Sequence, residues 1–224
     1  MARTSLLFCV IHAVAALQTQ QQTDATKTLR NGVVIPTIAA GTGGYDNQAS
    51  TKTLRTGLVM PTMSAGTWQY DNDEAAASVQ ASLAAGFRHI DTAYDYYNQA
   101  GVSKGLAAGA TASKLARKDI FITTKVPGCG VNGVNASDCE GSTAAFLQQD
   151  YALLNSSYDL QGHVDLVLLH FPPCRAGKDG MTLCNANKRI SCTDCDAIKA
   201  QWSAAVKAYQ KGLYRSIGVS NYCT

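Results

Sequence analysis

Asp91, Lys125 and His170 each fall at or just past the end of a predicted strand, and Asp91 is followed within six residues by Tyr94, Tyr96 and Tyr97. A tyrosine hydroxyl, with an ordinary pKa of about 10, is a poor acid at neutral pH. A lysine in contact lowers that pKa, and an aspartate paired with the lysine keeps the ammonium charged. A histidine beside them can hydrogen-bond a carbonyl oxygen and orient it. Such a set would give a proton to an oxygen that becomes negative as hydride arrives at carbon. Each member alone has a duller use. Asp91 could cap a turn or helix, Lys125 could be a solvated strand flank, and His170 could be a satisfied core histidine. Their joint occurrence in order is what sets them apart. His89 and His163 are expected to be structural or exposed.

The elements that must position these groups alternate along the chain. Apolar or β-branched runs predict strands over 64–68, 88–93, 120–126, 164–169 and 216–219. Between them, helices are predicted over 73–85, 99–116 with interruptions at Gly105 and Gly109, 142–156, and 197–211 ended by Gly212. Repeated βα units imply a parallel sheet. Periodicity alone does not separate a doubly wound sheet from a barrel. Asp91, Lys125, His170 and Ser220 all fall at the C-terminal ends of predicted strands, where βα-barrel enzymes place their chemistry. A doubly wound fold would put a glycine-rich phosphate turn after its first strand. Here that position reads Gly66, Thr67, Trp68, Gln69, Tyr70, which favours the barrel.

Composition narrows the class further. The 224 residues are 46% hydrophobic and 16% charged with net charge +3, enough for one buried core and too balanced for wholesale disorder. No basic run supplies a footprint for nucleic acid, and no apolar segment approaches the roughly 20 residues that span a bilayer. No grouping of histidines and acids suggests a metal-dependent isomerase or hydrolase.

Residues 1–16 place Arg3 before an apolar stretch that ends in Ala13, Val14, Ala15 and Ala16, which reads as a cleaved secretory signal. An uncleaved apolar helix or a transit peptide is the alternative. Sequons at Asn135 and Asn155 and seven cysteines beyond residue 16 point the same way, to secretion or an organellar lumen, with the cytoplasm left open. Four of those cysteines, Cys174, Cys184, Cys192 and Cys195, read as a disulfide-stapled loop, against a zinc reading of the Cys192 and Cys195 pair. The segment 27–42 recurs at 52–67, each copy reading as a small hairpin around Asn31-Gly32 or Thr56-Gly57. The expected organisation is therefore a signal at 1–16, a linker and extra hairpin at 17–51, and a barrel domain at 52–224.

The stretch from Gly86 to Asn98 (GFRHIDTAYDYYN) resembles the signature of the aldo-keto reductase family, as do FITTK ending at Lys125, VDLVLLH ending at His170, and IGVSN ending at Asn221. The hairpin running into Gly66, Thr67 and Trp68 is similar to that family's start. The resemblance covers about 52–224. It implies a (β/α)8 TIM-type barrel, here with about five βα units behind its N-terminal hairpins. It also implies extended binding of NADPH, with NADH left open, and reduction of an aldehyde or ketone.

Matched by position, Asp91, Tyr96, Lys125 and His170 become the catalytic tetrad, with Tyr96 as general acid. Tyr94 and Tyr97 fall off that register and are expected to be wall or packing residues. Ser220 and Asn221 become the pair that holds the nicotinamide carboxamide, while Gly66, Thr67, Trp68 and Asp91 line the cofactor or substrate pocket. A family barrel has eight strands and roughly 250 residues, so the expectation is an incomplete chain whose 2′-phosphate contacts lie beyond Thr224. Two functions follow: a carbonyl reductase, or a non-catalytic barrel fragment or nucleotide-sensing regulatory subunit.

Overall fold

The computed structural model describes residues 26–28, 34–36, 51–129, 138–172 and 195–222. The chain divides into two units, Met1–Asp46 and Asn47–Thr224. In the first, β1 (Thr26–Thr28) pairs antiparallel with β2 (Val34–Pro36). The second begins with the same hairpin one repeat later, β3 (Thr51–Thr53) against β4 (Val59–Pro61). Its turn closes on Gly57, whose φ of +83° suits a residue without Cβ.

Five strands then form one wholly parallel sheet in sequential order: β5 (Ala65–Gly66), β6 (His89–Asp91), β7 (Phe121–Val126), β8 (Leu166–Leu169) and β9 (Ile217–Val219). Helices α1 (Asn72–Ala84), α2 (Gln99–Ser113), α3 (Cys139–Leu154) and α4 (Cys195–Gln210) supply the crossovers. Strand β7 is buried along its whole length, as a strand covered on both faces must be. The core between sheet and helices holds Val79, Leu83, Ile90, Leu106, Ile122, Leu147, Leu154, Val167 and Leu169.

Local chemistry sets the helix ends. Asp71 caps α1 by accepting from the Asp73 and Glu74 backbone N–H groups, and Glu74 reaches back to the Asp71 N–H. Gly212, at φ +79°, follows α4. Helix α2 differs from its expected form, because it runs unbroken through Gly105 and Gly109 and stops at Ser113. These glycines are close-approach positions. A Cβ on Gly105 would lie 2.5 Å from the Ala76 carbonyl oxygen, and one on Gly109 would lie 2.8 Å from Leu83 Cδ1. Their missing side chains let α1 and α2 touch backbone to backbone.

A disulfide joins Cys129 to Cys139, with Cα atoms 5.1 Å apart, and ties the loop after β7 to the first turn of α3. The expected staple among Cys174, Cys184, Cys192 and Cys195, the sequon at Asn135 and the signal at 1–16 lie outside the described residues or side chains. Among the described residues, no helix is long and apolar enough to cross a membrane.

Candidate active site

Parallel register brings the predicted groups to one edge of the sheet. Gly66 lies opposite Asp91, Asp91 opposite Thr123, and Leu169 opposite Val219. Lys125 stands two residues beyond Thr123, so it shares that residue's face and reaches back over the end of β6. After β6 the chain turns through buried Ala93 into a short 3-10 helix, Tyr94–Tyr96, which Tyr97 ends at φ +57°. The turn carries Tyr96 back over Lys125.

All three protons of the Lys125 ammonium have acceptors. Its Nζ lies 2.5 Å from Asp91 Oδ1, 3.0 Å from the Thr92 carbonyl oxygen and 3.4 Å from the Tyr96 hydroxyl. The same ammonium stands 5.2 Å from the centre of the Tyr96 ring. The His170 ring meets Tyr96 edge to face at 5.9 Å between centroids and stacks on Phe171 at 4.4 Å. Its Nδ1 lies 2.9 and 3.1 Å from the two carboxylate oxygens of Asp95.

One expectation is corrected here. The Tyr96 hydroxyl is pushed up from its ordinary pKa, because burial outweighs the charge and hydrogen bond of Lys125. The physical reason lies in the geometry. Lys125 is held closely by Asp91 and only loosely by Tyr96, so much of its field at the phenol is cancelled.

Of the residues read as cofactor contacts, Thr67 is buried and donates its hydroxyl to Thr92 Oγ1 at 2.9 Å. Trp68 is 56% exposed. Asn221, at φ +58°, donates to the His170 carbonyl oxygen at 2.8 Å and to Ser220 Oγ at 3.2 Å. His89 is structural, held between the Pro61 carbonyl and Thr123 Oγ1 at 2.7 and 2.8 Å, and burial lowers its pKa. His163 is half-buried, and burial lowers its pKa too. Tyr94 packs on Phe146 and donates to Gln149, whereas Tyr97 is exposed.

Sequence reasoning missed a buried polar wire behind the site. Thr92 donates to Gln99 Oε1 at 3.0 Å. Gln99 Nε2 in turn donates to Asp150 Oδ1 at 2.6 Å, and Thr124 donates to that oxygen at 2.9 Å. Tyr214 OH lies 2.8 Å from the Leu147 carbonyl oxygen and 3.2 Å from Asp150 Oδ2. One phenolic proton serves only one acceptor, so the wire is fully satisfied when Asp150 carries a proton on Oδ2 and donates it to Tyr214. Burial accordingly pushes the Asp150 carboxyl up to about 7. Asp95 was missed as well. Its signal was present, an acid beside Tyr96 in the turn, but its partner is 75 residues away.

The described parallel sheet, with these polar groups at its C-terminal edge, is the arrangement of a βα-barrel enzyme. The aldo/keto reductase family model matches residues 58–224. An aldose reductase of Encephalitozoon cuniculi is 31% identical over 201 residues, spanning 88% of this chain and 52% of its own. Human aldo-keto reductase family 1 member C4 is 33% identical over 150 residues, covering 66% of this chain and 42% of its own. Among solved structures, a Bombyx mori aldo-keto reductase in complex with NADP superposes with a TM-score of 0.57 at 28% identity, over 77% of this chain and 50% of that one. A Brucella melitensis aldo/keto reductase gives 0.56 at 34% identity, over 78% and 54%. The chain belongs to the aldo-keto reductase family, whose fold is the (β/α)8 barrel, and the described residues contribute five parallel strands to it. It spans about half the length of the curated relatives it matches.

Proposed function

We propose that this chain carries the proton-donating half of an NADPH-dependent carbonyl reductase, which converts an aldehyde or ketone to an alcohol by hydride transfer. The observation that carries this reading is the hydrogen-bonded series Asp91, Lys125 and Tyr96, closed by His170 against the Tyr96 ring. Bound NADPH would supply the hydride. The residues present suit its nicotinamide end. A Cβ on Gly66 would meet nothing within 4 Å, so the end of β5 leaves room for a ligand, and beyond β9 the Ser220 hydroxyl is held by the Asn221 amide, which also anchors to the His170 carbonyl. Tyr96 gives its proton to the oxygen that becomes negative. Lys125, anchored by Asp91, supports the phenolate left behind. The raised pKa of Tyr96 keeps the proton in place until that charge develops.

The test is fluorescence titration of the chain with NADPH together with a carbonyl-reduction assay on wild type and Tyr96→Phe. Saturable binding in both, with turnover falling about a hundredfold or more in the variant, is the expected result. Binding without turnover in wild type would replace this reading with a nucleotide-sensing role, and no binding by the folded chain would overturn both. We further propose residence in the secretory pathway or an organellar lumen, which the Cys129–Cys139 disulfide supports.

A further inference from the structure

Asp95 stands outside the four groups assigned to proton delivery, yet it makes the only side-chain hydrogen bonds found for the His170 ring among the described residues. Both side chains are largely buried, at 10% and 11% exposure, so water competes poorly for the contact. The two oxygens straddle Nδ1. An ionised carboxylate only accepts hydrogen bonds, so Nδ1 must carry a ring proton. Phe171 covers one face of the ring at an interplanar angle of 26°, and Tyr96 meets it at 71°. With Nδ1 committed and the plane fixed, Nε2 is the ring nitrogen left for the reaction.

We propose that Asp95 is a positioning residue which locks the His170 proton on Nδ1 and so makes Nε2 the one nitrogen that exchanges hydrogen bonds with the reacting oxygen. A carboxylate that orients a histidine in this way fixes its tautomer, since the bond made at one nitrogen determines what the other can do. The consequence is directional. On a neutral ring, Nε2 can only accept, as from the hydroxyl of an alcohol. To hold a carbonyl oxygen, Nε2 must carry a second proton, and the Asp95 carboxylate then balances the charge of the ring. The role in turnover rests on the carbonyl-reductase reading above, whereas the tautomer does not.

The experiment therefore has two arms, both on the full chain. In the first, histidine labelled with nitrogen-15 reports the protonation of each ring by long-range proton–nitrogen correlation, and His170→Gln assigns the His170 signals. Wild type should keep the proton on Nδ1, and Asp95→Val should move it to Nε2, the tautomer that free imidazole side chains favour in water. A wild-type ring protonated on Nε2 alone, or a pattern unchanged by Asp95→Val, overturns the proposal. In the second arm, Asp95→Val should lower kcat about tenfold to a hundredfold, the scale of a lost charge-assisted hydrogen bond. The NADPH KM should move by less than about twofold, and Asp95→Glu should recover part of the rate. A shifted tautomer with kcat unchanged would refute the role in turnover. If wild type reduces no carbonyl, the functional reading fails while the nitrogen signals still decide the pair.

Discussion

Replacing Asp150 by Asn tests whether the buried wire holds a neutral acid. The side chain is fully buried, and burial lifts its carboxyl from 3.8 to about 7 against the hydrogen bonds of Gln99, Thr124 and Tyr214. In the unfolded chain the same group ionises near its ordinary value. Between these two pH values the folded state binds more protons than the unfolded state, so stability falls as pH rises. This stability is fully present below pH ~4 and lost by the time pH has passed ~7. The gap between 3.8 and about 7 corresponds to roughly 4 kcal/mol at about 1.4 kcal/mol per decade of proton affinity. Asparagine keeps an acceptor for Gln99 and Thr124 and offers an N–H to Tyr214, so it mimics the protonated acid at every pH. Urea unfolding of wild type and Asp150→Asn across pH ~4 to ~8 isolates the effect, because other titrating groups cancel in the difference. The variant should match wild type within about 1 kcal/mol at the acid end and gain as much as about 4 kcal/mol over it at the alkaline end. A flat difference, or a variant that loses ground as pH rises, would show an ionised Asp150 and refute the proton placement.

Gly101→Ala should destabilise the fold by about 1–3 kcal/mol, because its Cβ would lie 2.1 Å from the Asn72 carbonyl oxygen, where α1 meets α2. Urea midpoints read this directly. Cutting the Cys129–Cys139 link by Cys139→Ser should cost about 3 kcal/mol, the loop-closure term for a sequence separation of 10, and wild type in reducing buffer should fall to match. A midpoint insensitive to reductant would remove the disulfide from the account.

The parallel direction of the five strands was legible because strands and helices alternate along the chain, and a strand buried in such a sheet leaves an apolar run, as in Leu166, Val167, Leu168 and Leu169. The repeat placed its hairpins correctly, since Thr56-Gly57 marks its own turn. Gly105 and Gly109 misled for an instructive reason. Propensity treats a mid-helix glycine as a break, whereas here its cost is offset by contact with a neighbouring helix that local sequence does not display. The site divided along the same line. Asp91, Lys125, Tyr96 and His170 could be picked out as strand-end groups of complementary chemistry. The pKa direction at Tyr96 could not, because it depends on how far burial outweighs a lysine already neutralised by Asp91. Asp95 and Asp150 were hidden by distance, as each depends on partners from other strands and helices.

The full commitment of the Lys125 protons also governs which reaction this mouth avoids. Aldehydes and primary amines condense spontaneously to imines, so an amine placed beside a carbonyl compound would be a standing hazard. Condensation needs a nitrogen lone pair. Lys125 can expose one only by surrendering a proton held by the Asp91 carboxylate, the Thr92 carbonyl or the Tyr96 oxygen. On the proposed reading, a carbonyl compound bound there would meet an ammonium with every proton engaged and no nitrogen lone pair to attack it.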